Sequence, residues 1–437
     1  MRKATQRGTH WSSFAPPNFG GRLDLTVSPA GSFSGKLLNG TSSHSFTGTL
    51  TTAVAGLFPT GIATIKRPRP PDLTLNFVID SAANRLQNAQ VSDGENTVAI
   101  SGWRSTWSEG EPPSAGYLGA AHSFGIEPPA DPALPQGYGF ASFTVKPAGT
   151  LTVIGRLADG VDFTTAGFLG PNGEVLITQT SATADSVGGI LLVAPGTGPL
   201  FANTTISGSL TWSRMKQTAT SRVYREGFAA TSVNVFGGRY LVPASTVVAM
   251  NLEDRSDNAR LSFTGANIGA PPALPDLLVQ IKPGGGVLRP ANNPRNTTLV
   301  IKPTTGELSG TFSLEDSNPL SPTTIVERRV TYQGQIVTHN GTAFGCGYFL
   351  LPELPSFGPP KTTTLNSPML SGSMLLEKSP RADVTRSGTY QGLIVTRSGV
   401  ASGYGFFLLA DLPRVSPPTT ASTSPVISGK VRLESNK

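Results

Sequence analysis

One segment occurs twice near the C-terminal end of this sequence, and it constrains the fold more than any other feature. The first copy spans residues 330–377 and the second spans residues 388–434. The clearest match pairs Gly345-Cys-Gly-Tyr-Phe-Leu-Leu351 with Gly403-Tyr-Gly-Phe-Phe-Leu-Leu409. These segments combine glycines with the aromatic and aliphatic residues that favour strands, and no reactive side chain recurs. The repeat therefore predicts a β scaffold.

Another pair of copies lies in the first half of the chain, near residues 21–50 and 139–169. Each copy has an alternating apolar run followed by a turn sequence, Ser28-Pro-Ala-Gly31 in one and Lys146-Pro-Ala-Gly149 in the other. The first copy continues to Asn39-Gly40, a dipeptide typical of two-residue hairpin turns. Both copies therefore predict a strand, a turn and a second strand.

The composition agrees with a chain of short strands. Charged residues make up 14% of the 437 residues, below the roughly 25% of an average soluble protein, so few exposed helices are expected. Turn residues recur roughly every 8–12 positions, a spacing typical of sandwiches and barrels. We predict an all-β fold of antiparallel meanders that form two barrel- or sandwich-like domains, with very little helix. The predicted domains are residues 1–218 and 219–437, divided at the polar stretch Lys216-Gln-Thr-Ala-Thr-Ser221.

Glycines inside the repeated strands need a physical reason, because glycine destabilises a strand. Gly403 and Gly405 fall on the same face of an alternating strand. They predict either a sharp bend of the sheet or a groove covered by a neighbouring aromatic ring. Large residues on both faces at residues 406–409 indicate that neither face is fully exposed to water.

The residues that usually carry catalysis or bind metals are few and scattered. The chain has a single cysteine, Cys346, and four histidines, His10, His44, His122 and His339. If Asn340-Gly341 is a hairpin turn, Cys346 faces Gln335 and lies about 13 Å along the strand from His339, too far for a thiolate–imidazolium pair. We predict no catalytic, cofactor-binding or metal site.

Two further groups have both a functional and a structural interpretation. The carboxylates Glu253, Asp254 and Asp257 lie among arginines, which favours a salt-bridged turn over calcium binding or catalysis. The tryptophans resemble a sugar-stacking set, but two of them follow an Ile-Ser-Gly phrase that ends a repeat unit, which favours packing. The four tryptophans are Trp11, Trp103, Trp107 and Trp212.

Charge and hydropathy exclude some classes of function. The net charge of +7 is spread over the whole chain, and no basic patch is interleaved with aromatic residues, so nucleic acid is not an expected partner. No apolar run approaches the roughly 18 residues of a membrane helix. The N-terminus, Met1-Arg-Lys-Ala-Thr-Gln-Arg-Gly8, has no apolar h-region, so no signal peptide is visible.

The repeated strings resemble a poorly characterised β-rich module found toward the C-terminus of large, repeat-rich exported proteins of environmental bacteria. The resemblance rests on the repeated strand 403–409, on Arg156-Leu-Ala-Asp-Gly160, on Leu370-Ser-Gly-Ser373 and on Gly237-Gly-Arg-Tyr-Leu-Val-Pro243. It covers most of the chain, and it implies an extracytoplasmic location and no known catalytic residues.

Three functions fit these observations. The favoured one is a non-enzymatic, exported or cell-surface β module with a structural, adhesive or display role. The alternatives are a carbohydrate-binding accessory module and an outer-membrane β-barrel. The expected partners are surface polysaccharide or other domains of a larger exported protein, and no cofactor is expected.

Overall fold

The chain is all-β, as the sequence predicted. The computed structural model describes residues 6–12, 21–39, 42–51, 58–68, 71–119, 121–180, 185–268, 274–293, 295–359, 361–380, 389–397, 400–410 and 426–434. They divide into two units, Met1–Lys378 and Ser379–Lys437. Apart from strands, the described residues contain short 3-10 turns at Pro199–Phe201, Ala249–Asn251 and Pro283–Gly285.

The first sheet is an antiparallel meander of eight strands that curls into a nearly closed barrel. Its strands are β1 (Gln6–Ser12), β2 (Arg22–Val27), β3 (Ser32–Asn39), β4 (Ser42–Thr49), β5 (Thr60–Ile65), β6 (Leu73–Asp80), β7 (Arg85–Ser92) and β8 (Thr97–Arg104). The first strand, β1, pairs with the last strand, β8. The two strands at the ends of the hydrogen-bonded order, β4 and β5, lie beside each other, and we call their contact the seam. At that seam Thr51 and Thr60 exchange two backbone hydrogen bonds, of 2.9 and 3.1 Å. We call this sheet the first barrel.

The second sheet repeats the same strand order and is called the second barrel. Its strands are β9 (His122–Ile126), β10 (Gly139–Phe143), β11 (Thr150–Arg156), β12 (Asp162–Phe168), β13 (Glu174–Thr180), β14 (Ser186–Ala194), β15 (Thr205–Arg214) and β16 (Phe228–Arg239). Again the first strand pairs with the last. At the opposite seam the Thr165 hydroxyl donates to the Thr178 carbonyl at 2.9 Å and accepts from the Thr178 N–H at 3.1 Å.

The third sheet also has eight strands in this order, with β17 paired to β24. Its strands are β17 (Ala259–Gly265), β18 (Leu277–Ile281), β19 (Val287–Leu288), β20 (Val300–Lys302), β21 (Glu307–Asn318), β22 (Ser321–His339), β23 (Thr342–Pro352) and β24 (Met369–Lys378). The strands at the ends of the order, β19 and β20, are only two and three residues long. The first copy of the C-terminal repeat forms β22, β23 and β24.

The second copy of the repeat forms a separate three-stranded sheet in the second unit. Its strands are β25 (Thr389–Arg397), β26 (Val400–Ala410) and β27 (Val426–Glu434). The register is the same in both copies, because Tyr390 pairs with Phe407 as Tyr332 pairs with Phe349. The repeat therefore encodes strand pairing as well as composition.

Each recurring turn glycine lies just before a strand and bonds the residue that follows the next strand. Gly31 has a φ of +84°, a conformation that favours glycine, and its carbonyl accepts a 2.8 Å hydrogen bond from the N–H of Leu50. Gly149 has a φ of +73° and makes the same bond to Leu169. This geometry explains why the Pro-Ala-Gly phrase occurs in both halves of the early repeat.

Many strand glycines lie directly opposite an aromatic residue of the neighbouring strand, and the aromatic ring covers the glycine. A Cβ added at any of these glycines would overlap the ring. The pairs are Gly35 with Phe46, Gly48 with Phe33, Gly61 with Phe77, Gly125 with Phe236, Gly155 with Phe163, Gly310 with Tyr332 and Gly372 with Phe349. Ring coverage is therefore present in all three eight-stranded sheets. Gly345 and Gly347 of β23 instead face Leu308 and the Gln333 carbonyl, and the side-chain surroundings of Gly403 and Gly405 lie outside the described part.

Side chains fill the interior of each eight-stranded sheet. Alternate residues of β2, namely Leu23, Leu25 and Val27, enter the core of the first barrel. The second barrel and the third sheet have separate cores of their own. The predicted domain boundary at residues 218 and 219 falls in the loop between β15 and β16, and these two strands pair with each other in the second barrel.

Candidate functional site

The repeated strand β23 joins the second barrel to the third sheet through its two faces. Phe349 and Leu351 point into the core of the third sheet. On the opposite face, Tyr348 packs into the core of the second barrel and Cys346 lies between the two sheets. Both faces of β23 are thus buried. The side chains of residues 406–409, for which this was expected, lie outside the described part.

We call the contact between the second barrel and the third sheet the joint, and an apolar cluster forms its centre. Phe236 of the second barrel packs with Val337 and Cys346 of the third sheet, and all three are buried. The approach is close, since a Cβ added at Gly125 would lie 2.9 Å from the Cys346 sulfur. Burial raises the pKa of the Cys346 thiol, so at neutral pH this group is a protonated packing residue.

Serine hydroxyls bond the two sheets across the joint. The Ser371 hydroxyl donates to the Ala158 carbonyl at 2.6 Å and accepts from the Gly137 N–H at 3.2 Å. The Ser373 hydroxyl donates to the Gln136 carbonyl at 2.5 Å. These serines belong to the Leu-Ser-Gly-Ser phrase, which sequence reasoning treated as framework only. The two serines are two residues apart, so they lie on one face of a strand, and this spacing was the sequence signal for a shared contact.

A groove opens at one side of the joint, and we call it the inter-sheet groove. It has a volume of about 380 Å³. One wall comes from β10, β11 and the start of β12, and the other comes from β20, β21 and β22. Its floor includes Phe140, whose ring stacks on Tyr348 with centroids 6.3 Å apart.

Charged and amide side chains line this groove in bonded pairs. Arg156 bonds both Asp162 and the side-chain oxygen of Gln333. Lys302 donates to Glu307 at 2.6 Å. Two cations and two carboxylates are therefore matched within one groove, and the sequence alone gave none of them a role in a site.

A buried ionic cluster lies in the second barrel. The Arg214 guanidinium donates to Asp159 at 2.7 Å and to Asp185 at 3.2 Å. Burial raises the pKa of Asp159, although the Arg214 charge acts in the opposite direction. The carboxylate of Asp185 also accepts from the Met215 N–H at 3.1 Å. The cluster holds the loop after β15 against the barrel.

The described histidines and the cysteine belong to no group of three or more potential metal ligands. His122 is buried and stacks on Phe143 at 5.1 Å, while His339 is exposed at the end of β22 beside Phe236. The predicted register is confirmed, because Gln335 faces Cys346. His44 is half-buried in β4, and the side chain of His10 is outside the described part.

The tryptophans that the structure describes pack inside the protein. Trp212 is buried in the second barrel against Phe228, with ring centroids 5.0 Å apart. Trp103 is buried against Leu176, between the first and second barrels. Trp107 is half-buried and donates to the Leu169 carbonyl at 3.1 Å. The packing interpretation is thus confirmed for these residues; the side chain of Trp11 is outside the described part.

The acidic stretch before β17 forms a turn with ion pairs, as predicted. Asp254 pairs with Lys282 at 3.2 Å, and Glu253 lies 3.7 Å from Arg255. Within the described residues, no three side chains of His, Cys, Asp or Glu gather as metal ligands would. That part of the chain also contains no helix of the length and hydropathy needed to cross a membrane.

Comparisons with known proteins add no family assignment. No family model matches the chain, and no curated protein matches it. One solved structure, the leech intramolecular trans-sialidase in complex with 2,7-anhydro-Neu5Ac, aligns with 9% identity over 99% of this chain and 88% of its own length. Its TM-score of 0.10 carries no argument about fold or activity.

Proposed function

We propose that this protein is a non-enzymatic, exported or cell-surface β module with a structural, adhesive or display role. One observation carries the proposal: two successive eight-stranded sheets with filled interiors are joined through a buried interface made by repeated framework residues. Such an interface fixes the second barrel and the third sheet as one body. A fixed body suits a protein that presents surfaces.

The environment of the buried titratable groups supports this proposal. Asp159 is bonded to Arg214 inside the second barrel, and Cys346 is enclosed in the joint. The Tyr332 hydroxyl donates to the Thr298 carbonyl, and burial raises its pKa. Each of these groups is enclosed within the framework. General acid–base catalysis instead requires a group within reach of a substrate.

The proposal is tested by locating the protein in its native host. We expect antibody against the chain to detect it in the cell-envelope or extracellular fraction, and we expect protease added to intact cells to degrade it. A strain lacking the protein should lose attachment or surface integrity. Recovery of the protein only from the cytosolic fraction would contradict the proposal.

A further inference from the structure

The inter-sheet groove carries a more specific inference, because its walls have a defined chemistry. The strands that form them are paired with other strands on both sides, except at β12 and β20, which each end a sheet. The outer edge of β12 lies against β13, where Thr165 bonds Thr178, and β20 has only three residues. A peptide that bound by extending a sheet would need a longer free edge. The groove therefore offers side chains to a ligand and almost no free backbone.

The charges in the groove cancel. Arg156 and Lys302 are matched by Asp162 and Glu307, and each cation is bonded to its carboxylate. A groove with no net charge does not attract phosphates, sulfates or polyanions over neutral molecules. Its carboxylates, its guanidinium and the amide of Gln333 remain suited to hydroxyl groups, which both donate and accept hydrogen bonds. The amide of Gln335 is buried and donates to the Thr305 carbonyl.

Two aliphatic side chains lie at the rim of the inter-sheet groove. Ile154 of β11 is 64% exposed and Val300 of β20 is 57% exposed, and both line the groove. Such side chains offer contact to the C–H faces of a ligand. Polar groups beside small apolar patches are typical of sites that bind small organic ligands, and the groove volume falls in the usual range of about 300–1,000 Å³.

We propose that the inter-sheet groove binds a segment of a neutral polysaccharide. Sugar rings combine hydroxyl groups with apolar C–H faces, which matches the charge-balanced walls and the aliphatic rim. This inference deepens the adhesive role proposed above and rests on it. It places recognition at the joint between two sheets and not at Trp103 or Trp212, which are buried.

The test uses the full chain on an array of neutral and acidic polysaccharides, followed by calorimetry with the hexasaccharide of the strongest neutral binder. We expect binding to neutral polysaccharides, with affinity reduced at least tenfold by Val300→Asp and by Ile154→Asp. Both side chains are more than half exposed, so the variants should fold. The matched control is Ile62→Asp, since Ile62 is 66% exposed on β5 of the first barrel and should leave binding unchanged.

Three outcomes would overturn this inference: no binding to any neutral polysaccharide, binding to acidic polysaccharides only, or equal loss of affinity in the groove variants and in Ile62→Asp. Each outcome leaves the surface location untouched, because fractionation of the native host tests that separately. A protein that is at the cell surface but binds no neutral polysaccharide would retain the structural role and lose the proposed ligand.

Discussion

At the scale of single residues, the sheets depend on glycines that face aromatic rings across neighbouring strands. The ring of Phe77 covers Gly61 in the first barrel, and Phe349 covers Gly372 in the third sheet. The glycine leaves room for the ring to lie flat over the backbone, and the ring shields a strand position that has no side chain. This pairing explains why glycine recurs in strands, where it is normally unfavourable.

We therefore expect Gly61→Ala to destabilise the protein by about 1–3 kcal/mol, because the new methyl group forces the Phe77 ring out of place. Urea denaturation followed by circular dichroism measures this change. The control is Gly167→Ala in β12, where a Cβ has no atom within 4 Å; this change should stay within about 0.5 kcal/mol. In a Phe77→Leu background, Gly61→Ala should be much less damaging, and equal loss in both backgrounds would contradict the role of the ring.

A second residue-scale prediction concerns the buried Asp159. Because burial raises its pKa, the folded protein binds this proton more tightly than the unfolded chain does. Its contribution to stability is therefore complete below the ordinary carboxyl pKa and falls as pH rises through the folded-state pKa. Relative to Asp159→Asn, the wild-type protein should thus gain stability when pH is lowered from about 7 to about 4.

The control for this prediction is Asp93, which is exposed. Its pKa is lowered, first by the hydrogen bond from the backbone N–H of Asn96. A lowered pKa gives stability above the ordinary carboxyl pKa that is lost as pH falls, so Asp93→Asn should show the opposite pH trend. Urea titrations at both pH values measure the differences. The same trend in both variants would show that Asp159 is not the source of the effect.

At the scale of elements, β22, β23 and β24 serve both the core of the third sheet and its joint to the second barrel. Ser371 illustrates this: the strand places the Ser371 hydroxyl on the joint, where it bonds Ala158 and Gly137, while the next residue, Gly372, is covered by Phe349. Because both faces of β23 are buried, packing restricts the residue types on both sides of this strand.

We expect Ser371→Ala to lower the free energy of unfolding by about 1–3 kcal/mol, because it leaves a buried carbonyl and a buried N–H without their partner. The matched control is Ser207→Ala, since Ser207 occupies the same place in an Ile-Ser-Gly phrase but is exposed on β15. Thermal denaturation of the two variants gives the comparison. Equal effects would show that the serine bonds do not hold the joint.

The sequence predicted elements better than it predicted their partners. The Asn340-Gly341 turn and the pairing of Gln335 with Cys346 followed from local turn chemistry and strand alternation, and both are present. The pairing of β9 with β16 could not be predicted, because it joins strands more than 100 residues apart and no local signal encodes it. The groove could not be predicted for the same reason, because Arg156 and Gln333 meet only where two sheets are joined.

At the scale of the whole molecule, the single thiol reports on the joint between the second barrel and the third sheet. Cys346 is fully buried, and its raised pKa disfavours the reactive thiolate. We expect an aromatic disulfide reagent to label Cys346 in the native protein only as fast as the joint opens. The urea concentration at which labelling becomes rapid should match the midpoint for loss of β structure. A Ser207→Cys variant should react immediately at its exposed thiol. Rapid labelling of the wild-type protein would show that the joint is open in solution.

The central claim is that each eight-stranded sheet is held together by pairing between its first and last strands. Hydrogen–deuterium exchange with mass spectrometry tests this claim most directly in the second barrel, where Phe124 pairs with Gly237. The account predicts that peptides covering β9 and β16 are protected as strongly as those covering the β14–β15 hairpin. Fast exchange in β9 and in the half of β16 that pairs with it, with the hairpin still protected, would contradict it.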